Sequence, residues 1–174
     1  PENNEFIVTR QFKVDGIKEN IIPDIVVFIN GIPVAVIECK AESKMNAMEE
    51  GITQLMRYSN MRNPEEQEGA ANLFYTNQIL VSTFGGRAKF GTVGAGYEHY
   101  LEWKTTYPLS EEEAGIKKPQ DILLTGMFRR ENLLDIIQNF IVYESADGRL
   151  IKKVARYQQF RAVNKTVERL LNGK

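Results

Sequence analysis

A single cysteine, Cys39, leaves no partner for an internal disulfide, so the fold must be held by packing rather than by covalent staples. The thiol is expected to pack as a small buried hydrophobe, in keeping with a reducing cytoplasm. His99 is the only histidine, which excludes a histidine-cluster metal site and any triad needing a second imidazole. It is expected to play a structural part, as is the one tryptophan, Trp103, read as a packing anchor. No apolar run approaches the roughly 20 residues of a spanning helix, and no signal peptide is visible. The expected location is therefore the cytoplasm, without a membrane partner. The glycine-rich stretch from Gly85 to Gly96 has neither the Gly-Lys-Ser/Thr of a phosphate loop nor the Gly-x-Gly-x-x-Gly order. It reads as a turn-rich hairpin over a sheet edge, with Arg87 and Lys89 available to DNA or to a neighbouring domain.

An excess of positive charge is also missing. The 174 residues carry 22 Lys and Arg against 23 Asp and Glu, whereas a free-standing DNA binder usually gathers cations to neutralise phosphates. The charge is unevenly spread: residues 129–174 hold ten basic against five acidic side chains, and residues 1–128 hold twelve against eighteen. Such a chain would bind DNA weakly alone and receive it from something larger, or its basic C-terminal segment is simply a solvated helix face. With 43% apolar and 26% charged residues the composition is that of an ordinary globular protein, long enough for one substantial core.

What is present is concentrated in residues 23–40, Pro-Asp-Ile-Val-Val-Phe-Ile-Asn-Gly-Ile-Pro-Val-Ala-Val-Ile-Glu-Cys-Lys. Two strands of β-branched and aromatic residues flank Asn30-Gly31, a strong hairpin signal. They carry Asp24, Glu38 and Lys40 into an apolar setting where charges seldom go without a reason. Two carboxylates can hold a divalent cation such as Mg²⁺ against a phosphate, and an ammonium beside it can serve the water or the developing charge. That combination suits phosphodiester hydrolysis.

The spacing sets a condition. Glu38 and Lys40, two apart on a strand, share a face while Cys39 takes the other. A regular hairpin with a two-residue loop would place Asp24 opposite Ile37 and turn Glu38 away from it. A joint site therefore requires an odd-length loop or a β-bulge.

The remaining elements are read more coarsely. A strand is predicted over residues 5–14, an amphipathic helix over 45–60, a surface loop over 61–72 and a core strand over 78–84. Helices are predicted near 130–138 and 154–171. On the first helix Gln54 and Tyr58 lie one turn apart on a face able to meet the hairpin. Strands interrupted by helices give an α/β fold with a mixed central β-sheet flanked by helices.

Pro23-Asp24, Glu38-x-Lys40 and Gln54-x-x-x-Tyr58 resemble the PD-(D/E)xK nucleases of the RecB-like branch. The wider text resembles the N-terminal endonuclease region of the type I restriction enzyme R (motor) subunit: Val8 to Phe12, Ile37 to Lys40, Glu98 to Lys104, Asn132 to Phe140 and Lys152 to Phe160 all carry the likeness. The resemblance implies a restriction-endonuclease-like fold over residues 1–150, with a basic helical linker over 151–174 leading to a helicase-like motor. It implies Mg²⁺ held by Asp24, Glu38 and the main-chain carbonyl of Cys39, with Lys40 assisting the chemistry and Gln54 and Tyr58 orienting the lysine or touching double-stranded DNA. Tyr157 and Gln158 match positions of an adenine-recognising segment that would serve ATP in the motor domains; no Walker motif occurs here, and both ends look cut. Implied partners are methyltransferase and DNA-specificity subunits. A repair helicase-nuclease is the nearest enzymatic rival. A non-catalytic docking module, with Asp24 and Lys40 as a buried ion pair, is the other.

Overall fold

The computed structural model describes residues 2–146 and 149–173. Five strands form one mixed sheet in the order β1 (Phe6–Arg10), β2 (Ile25–Ile29), β3 (Ile32–Lys40), β4 (Ile79–Phe84) and β5 (Arg87–Gly91). The pair β3–β4 is parallel and needs a crossover, supplied by α1 (Ala47–Tyr58); the other neighbours are antiparallel. After the sheet come α2 (Glu111–Ala114), α3 (Pro119–Met127), α4 (Arg130–Asn139), a separate hairpin of β6 (Ile141–Ala146) and β7 (Arg149–Val154), and α5 (Tyr157–Asn172). This is the α/β architecture predicted, a mixed sheet with helices on both faces.

Side-chain alternation divides the core in two. Val26, Val36 and Leu80 face α1 and pack on Met48, Ile52 and Leu55. Val27, Ile29, Ile37 and Val81 face the other way, onto Leu123, Leu133, Ile136 and Phe160. The predicted anchor Trp103 is 1% exposed on this second face, with ring centroids 5.7 Å from Phe90 and 5.4 Å from Phe160. Helix α1 can lie close to the sheet because Gly51 has no side chain: a Cβ there would come within 2.2 Å of Ser82 Oγ.

The hairpin of β2 and β3 contains the distortion that the spacing demanded. Asn30 and Gly31 turn the chain at φ 52° and 77°, so Ile29 pairs with Ile32. The register then slips: Phe28 pairs with Pro33, but Val27 pairs with Ala35 and Ile25 with Ile37. Val34 is the extra residue, and it falls in the same core cluster as its neighbour Ala35, as a bulge requires. Pro33, which has no N–H to give a ladder, sits beside this irregularity.

Several predicted boundaries move, two of them by three residues or more. The first strand stops at Arg10 rather than residue 14, because Gln11 takes φ 52° and bends the chain; Val14 pairs again only through an isolated bridge to Ile21. The last helix starts at Tyr157, since Val154 closes β7. The β6–β7 hairpin was not foreseen. Its Val142, Tyr143, Leu150 and Ile151 are exposed, so it lacks the half-buried alternation that marks a strand. Thr92 Oγ1 donates to Lys152 O at 2.8 Å, and Lys152 Nζ donates to Asn77 O, tying the hairpin to the body.

Candidate active site

Continuing the slipped register by one pair sets Asp24 opposite Glu38, on the face covered by α1. Glu38 is 2% exposed and Lys40 ends β3 two residues on, pointing the same way. Gln54 and Tyr58 descend from α1 onto them. Lys40 Nζ donates to Glu38 Oε1 at 3.0 Å and also to Gln54 Oε1. Gln54 Nε2 donates to Glu38 Oε1 at 2.6 Å and to Tyr58 OH at 2.7 Å, and the Tyr58 hydroxyl donates to Ile22 O at 3.4 Å. One amide thus holds the carboxylate, the ammonium and the phenol together. The predicted convergence of all five side chains is present.

Asp24 is fixed differently. Its Oδ2 accepts the Cys39 N–H at 2.8 Å and its Oδ1 accepts Gln11 Nε2 at 2.7 Å. Sequence reasoning missed Gln11; the one available signal was its place in the Val-Thr-Arg-Gln-Phe run. The cation pairs with Glu38 rather than with Asp24, so the docking-module ion pair is replaced by another. Cys39 corrects a second expectation. Its thiol is exposed, because the strand pleat that buries Glu38 and Lys40 beneath α1 turns residue 39 outward near the sheet's end. His99 is likewise no core residue: it is 71% exposed on a surface turn, 3.5 Å from Glu98.

Electrostatics follow from this geometry. Burial pushes the Glu38 carboxyl up to about 7, against the pull of Lys40 and with help from Asp24's negative charge. Its Oε1 is fully engaged, while Oε2 is buried with no hydrogen-bond partner. An orphaned buried oxygen facing a second carboxylate is a costly arrangement unless something positive joins it. The residues present fit a hard cation. Two carboxylates of which Lys40 neutralises one leave a net negative pocket, and a Mg²⁺ ion keeps several waters rather than filling its sphere with protein. Among the described residues no cluster of three His, Cys, Asp or Glu side chains forms a full metal cage, so a tightly enclosed structural ion has no home here.

Tyr157 and Gln158 are not part of this constellation. They open α5 on the opposite face of the sheet, beside a cleft of about 430 Å³ that Lys89, Lys104 and Arg156 also line.

Comparison with known proteins agrees with the motif. The family model described as the type I restriction enzyme R protein N terminus matches residues 1–99, the span holding Asp24, Glu38, Lys40, Gln54 and Tyr58. The type I restriction enzyme HindI endonuclease subunit of Haemophilus influenzae is 31% identical over 170 residues, covering 95% of this chain and 15% of its own. Two putative endonuclease subunits of Methanocaldococcus jannaschii, of the type I enzymes MjaVIIIP and MjaIXP, are 36% and 27% identical over 98% of the chain. The chain spans about 15% of the length of the first two of these relatives and 17% of the third.

Proposed function

Given that the chain belongs to the type I restriction enzyme R protein N-terminal family, we propose that it is the endonuclease domain of such an enzyme's motor subunit, hydrolysing phosphodiester bonds of double-stranded DNA with Mg²⁺ and without reading sequence itself. The observation that carries this reading is the bulged β2–β3 register, which continued by one pair sets Asp24 opposite Glu38, with Glu38 Oε2 left unpartnered and Lys40 Nζ 3.0 Å from the other oxygen.

Asp24, Glu38 and the main-chain carbonyl of Cys39 would hold the ion. When bound, Mg²⁺ supplies Lewis-acid polarisation of the scissile phosphate and a more acidic water. The protein residues do the rest. Lys40 places a fixed positive charge where the phosphate gains negative charge, and its contacts to Glu38 and Gln54 hold it there without reorganisation. Gln54 sets the distance between carboxylate and ammonium, and Tyr58 braces Gln54 from the next helical turn. The near-neutral net charge supports a domain that is handed DNA by ATP-driven motor domains in the same subunit, within a complex of methyltransferase and specificity subunits.

The test is nicking of supercoiled plasmid by this chain at high concentration, with and without Mg²⁺, and by the Asp24→Asn, Glu38→Gln and Lys40→Met variants. Each substitution is expected to lower the rate by about 10³-fold or more, in the range of losing a group that acts only on the transition state. Cleavage that persists in any one of them removes that residue from the machinery.

A further inference from the structure

We propose that Gln11 is a positioning residue for the metal site, holding the Asp24 carboxylate in the orientation that receives the ion; this rests on the reading of Asp24 as a ligand given above. Gln11 adopts φ 52°, a region costly for a residue with a Cβ; among the described residues the other non-glycine positions there are Asn30, Asn46, Asn60 and Gln67. Asparagine visits that region readily and glutamine has no such excuse. The conformation turns the end of β1 so that one residue grips Asp24 twice. The Gln11 N–H donates to Asp24 O at 2.9 Å and the Gln11 amide donates to Asp24 Oδ1 at 2.7 Å. From the other side the Cys39 N–H reaches Oδ2 at 2.8 Å.

The carboxylate is thus held between two donors on neighbouring strands. The amide bond is exposed, and an exposed side-chain bond adds little to folding. What it does add is a fixed torsion: an aspartate at the mouth of a hairpin otherwise turns freely, and a ligand that must be ordered at the moment of binding weakens the site. Outer partners of metal-binding carboxylates act in this way and are worth about 10- to 100-fold in affinity.

Direct Mn²⁺ titration followed by electron paramagnetic resonance of the free ion tests the idea, alongside Tm and amide exchange at Cys39 in the metal-free protein. Gln11→Met keeps the side-chain length and the strained backbone but loses the donor. Gln11→Gly loses the donor and relaxes the backbone. Both are expected to bind Mn²⁺ about tenfold or more weakly and to exchange the Cys39 amide faster, while Gln11→Gly melts no lower than the unsubstituted chain. Wild-type affinity in both variants overturns the proposal. So does a loss in Gln11→Met that Gln11→Gly abolishes, since backbone strain would then be the cause. Asp24→Asn separates the premise: if the unsubstituted chain binds Mn²⁺ and this variant binds it equally, Asp24 is no ligand and the positioning role falls with it. If Asp24→Asn loses the ion while both Gln11 variants retain it, the site stands and only the role of Gln11 is lost.

Discussion

Glu38 concentrates the energetics of the site in one side chain. It is buried, it carries an oxygen with no partner, and its carboxyl is pushed up from 4.5 to about 7. A folded-state value above the unfolded one means that the native protein binds the proton more tightly, so the associated stability is complete below about pH 4.5 and disappears as the pH rises through about 7. The full difference is roughly 3 kcal/mol. Metal-free protein is therefore expected to lose Tm between about pH 5 and about pH 8 relative to Glu38→Gln, which removes the titrating group. With Glu38 as the proposed ligand, added Mg²⁺ should oppose the trend, because ion and proton would then compete for one carboxylate. Its affinity, measured calorimetrically, should rise by up to about tenfold per pH unit below 7 and level off above it. An equal slope in Glu38→Gln would place the titration elsewhere.

Among the elements, the β2–β3 hairpin decides whether a site exists at all. A two-residue turn with unbroken pairing would send Glu38 and Lys40 to the face of Ile37, away from α1; Val34, the inserted residue, prevents this. Deleting Val34 is expected to leave a regular ladder in which Pro33 still meets Phe28 and Ala35 still meets Val27, so that Glu38 stays opposite Asp24 on the α1 face. Mn²⁺ binding that persists alongside a lower Tm, from the lost buried side chain, is the expected result, and lost binding would show that the bulge contributes more than the register. The need for this bulge was legible because it is a parity argument: residue identities at 24, 38 and 40 together with a period of two force it. Gln54 and Tyr58 were legible for the same kind of reason, four residues apart on a helix. Gln11 was not, since its contact depends on a positive φ that glutamine does not advertise. The exposed Cys39 was misjudged because neighbouring Ile37 and Glu38 are buried and the strand ends just there. The β6–β7 hairpin escaped because its apolar residues face outward, and periodicity registers only a face that is buried.

For the whole molecule, the two faces of the sheet divide the labour. The α1 face carries Asp24, Glu38, Lys40, Gln54 and Tyr58, while the opposite face carries most of the aromatic mass and receives α5. Phe160 is the joint: it is 1% exposed, with ring centroids 5.0 Å from Phe140, 5.4 Å from Trp103 and 6.2 Å from Tyr107. Helix α5 exposes Val163, Val167, Leu170 and Leu171; Phe160 is its buried residue, and Tyr157 packs partly against the same core. Phe160→Ala is expected to cost about 3–5 kcal/mol, which at this chain length lowers Tm by roughly 6–20 °C. Because Phe160 packs directly on the only tryptophan, fluorescence of Trp103 and far-ultraviolet circular dichroism should report one coincident transition in the unsubstituted chain. If the helical signal melted first while Trp103 stayed buried, α5 would be an appendage rather than a part of the core. Mn²⁺ affinity at the α1 face should be unchanged in Phe160→Ala at temperatures well below its Tm, since the register puts Glu38 and Lys40 on the other face of the sheet from the lost ring.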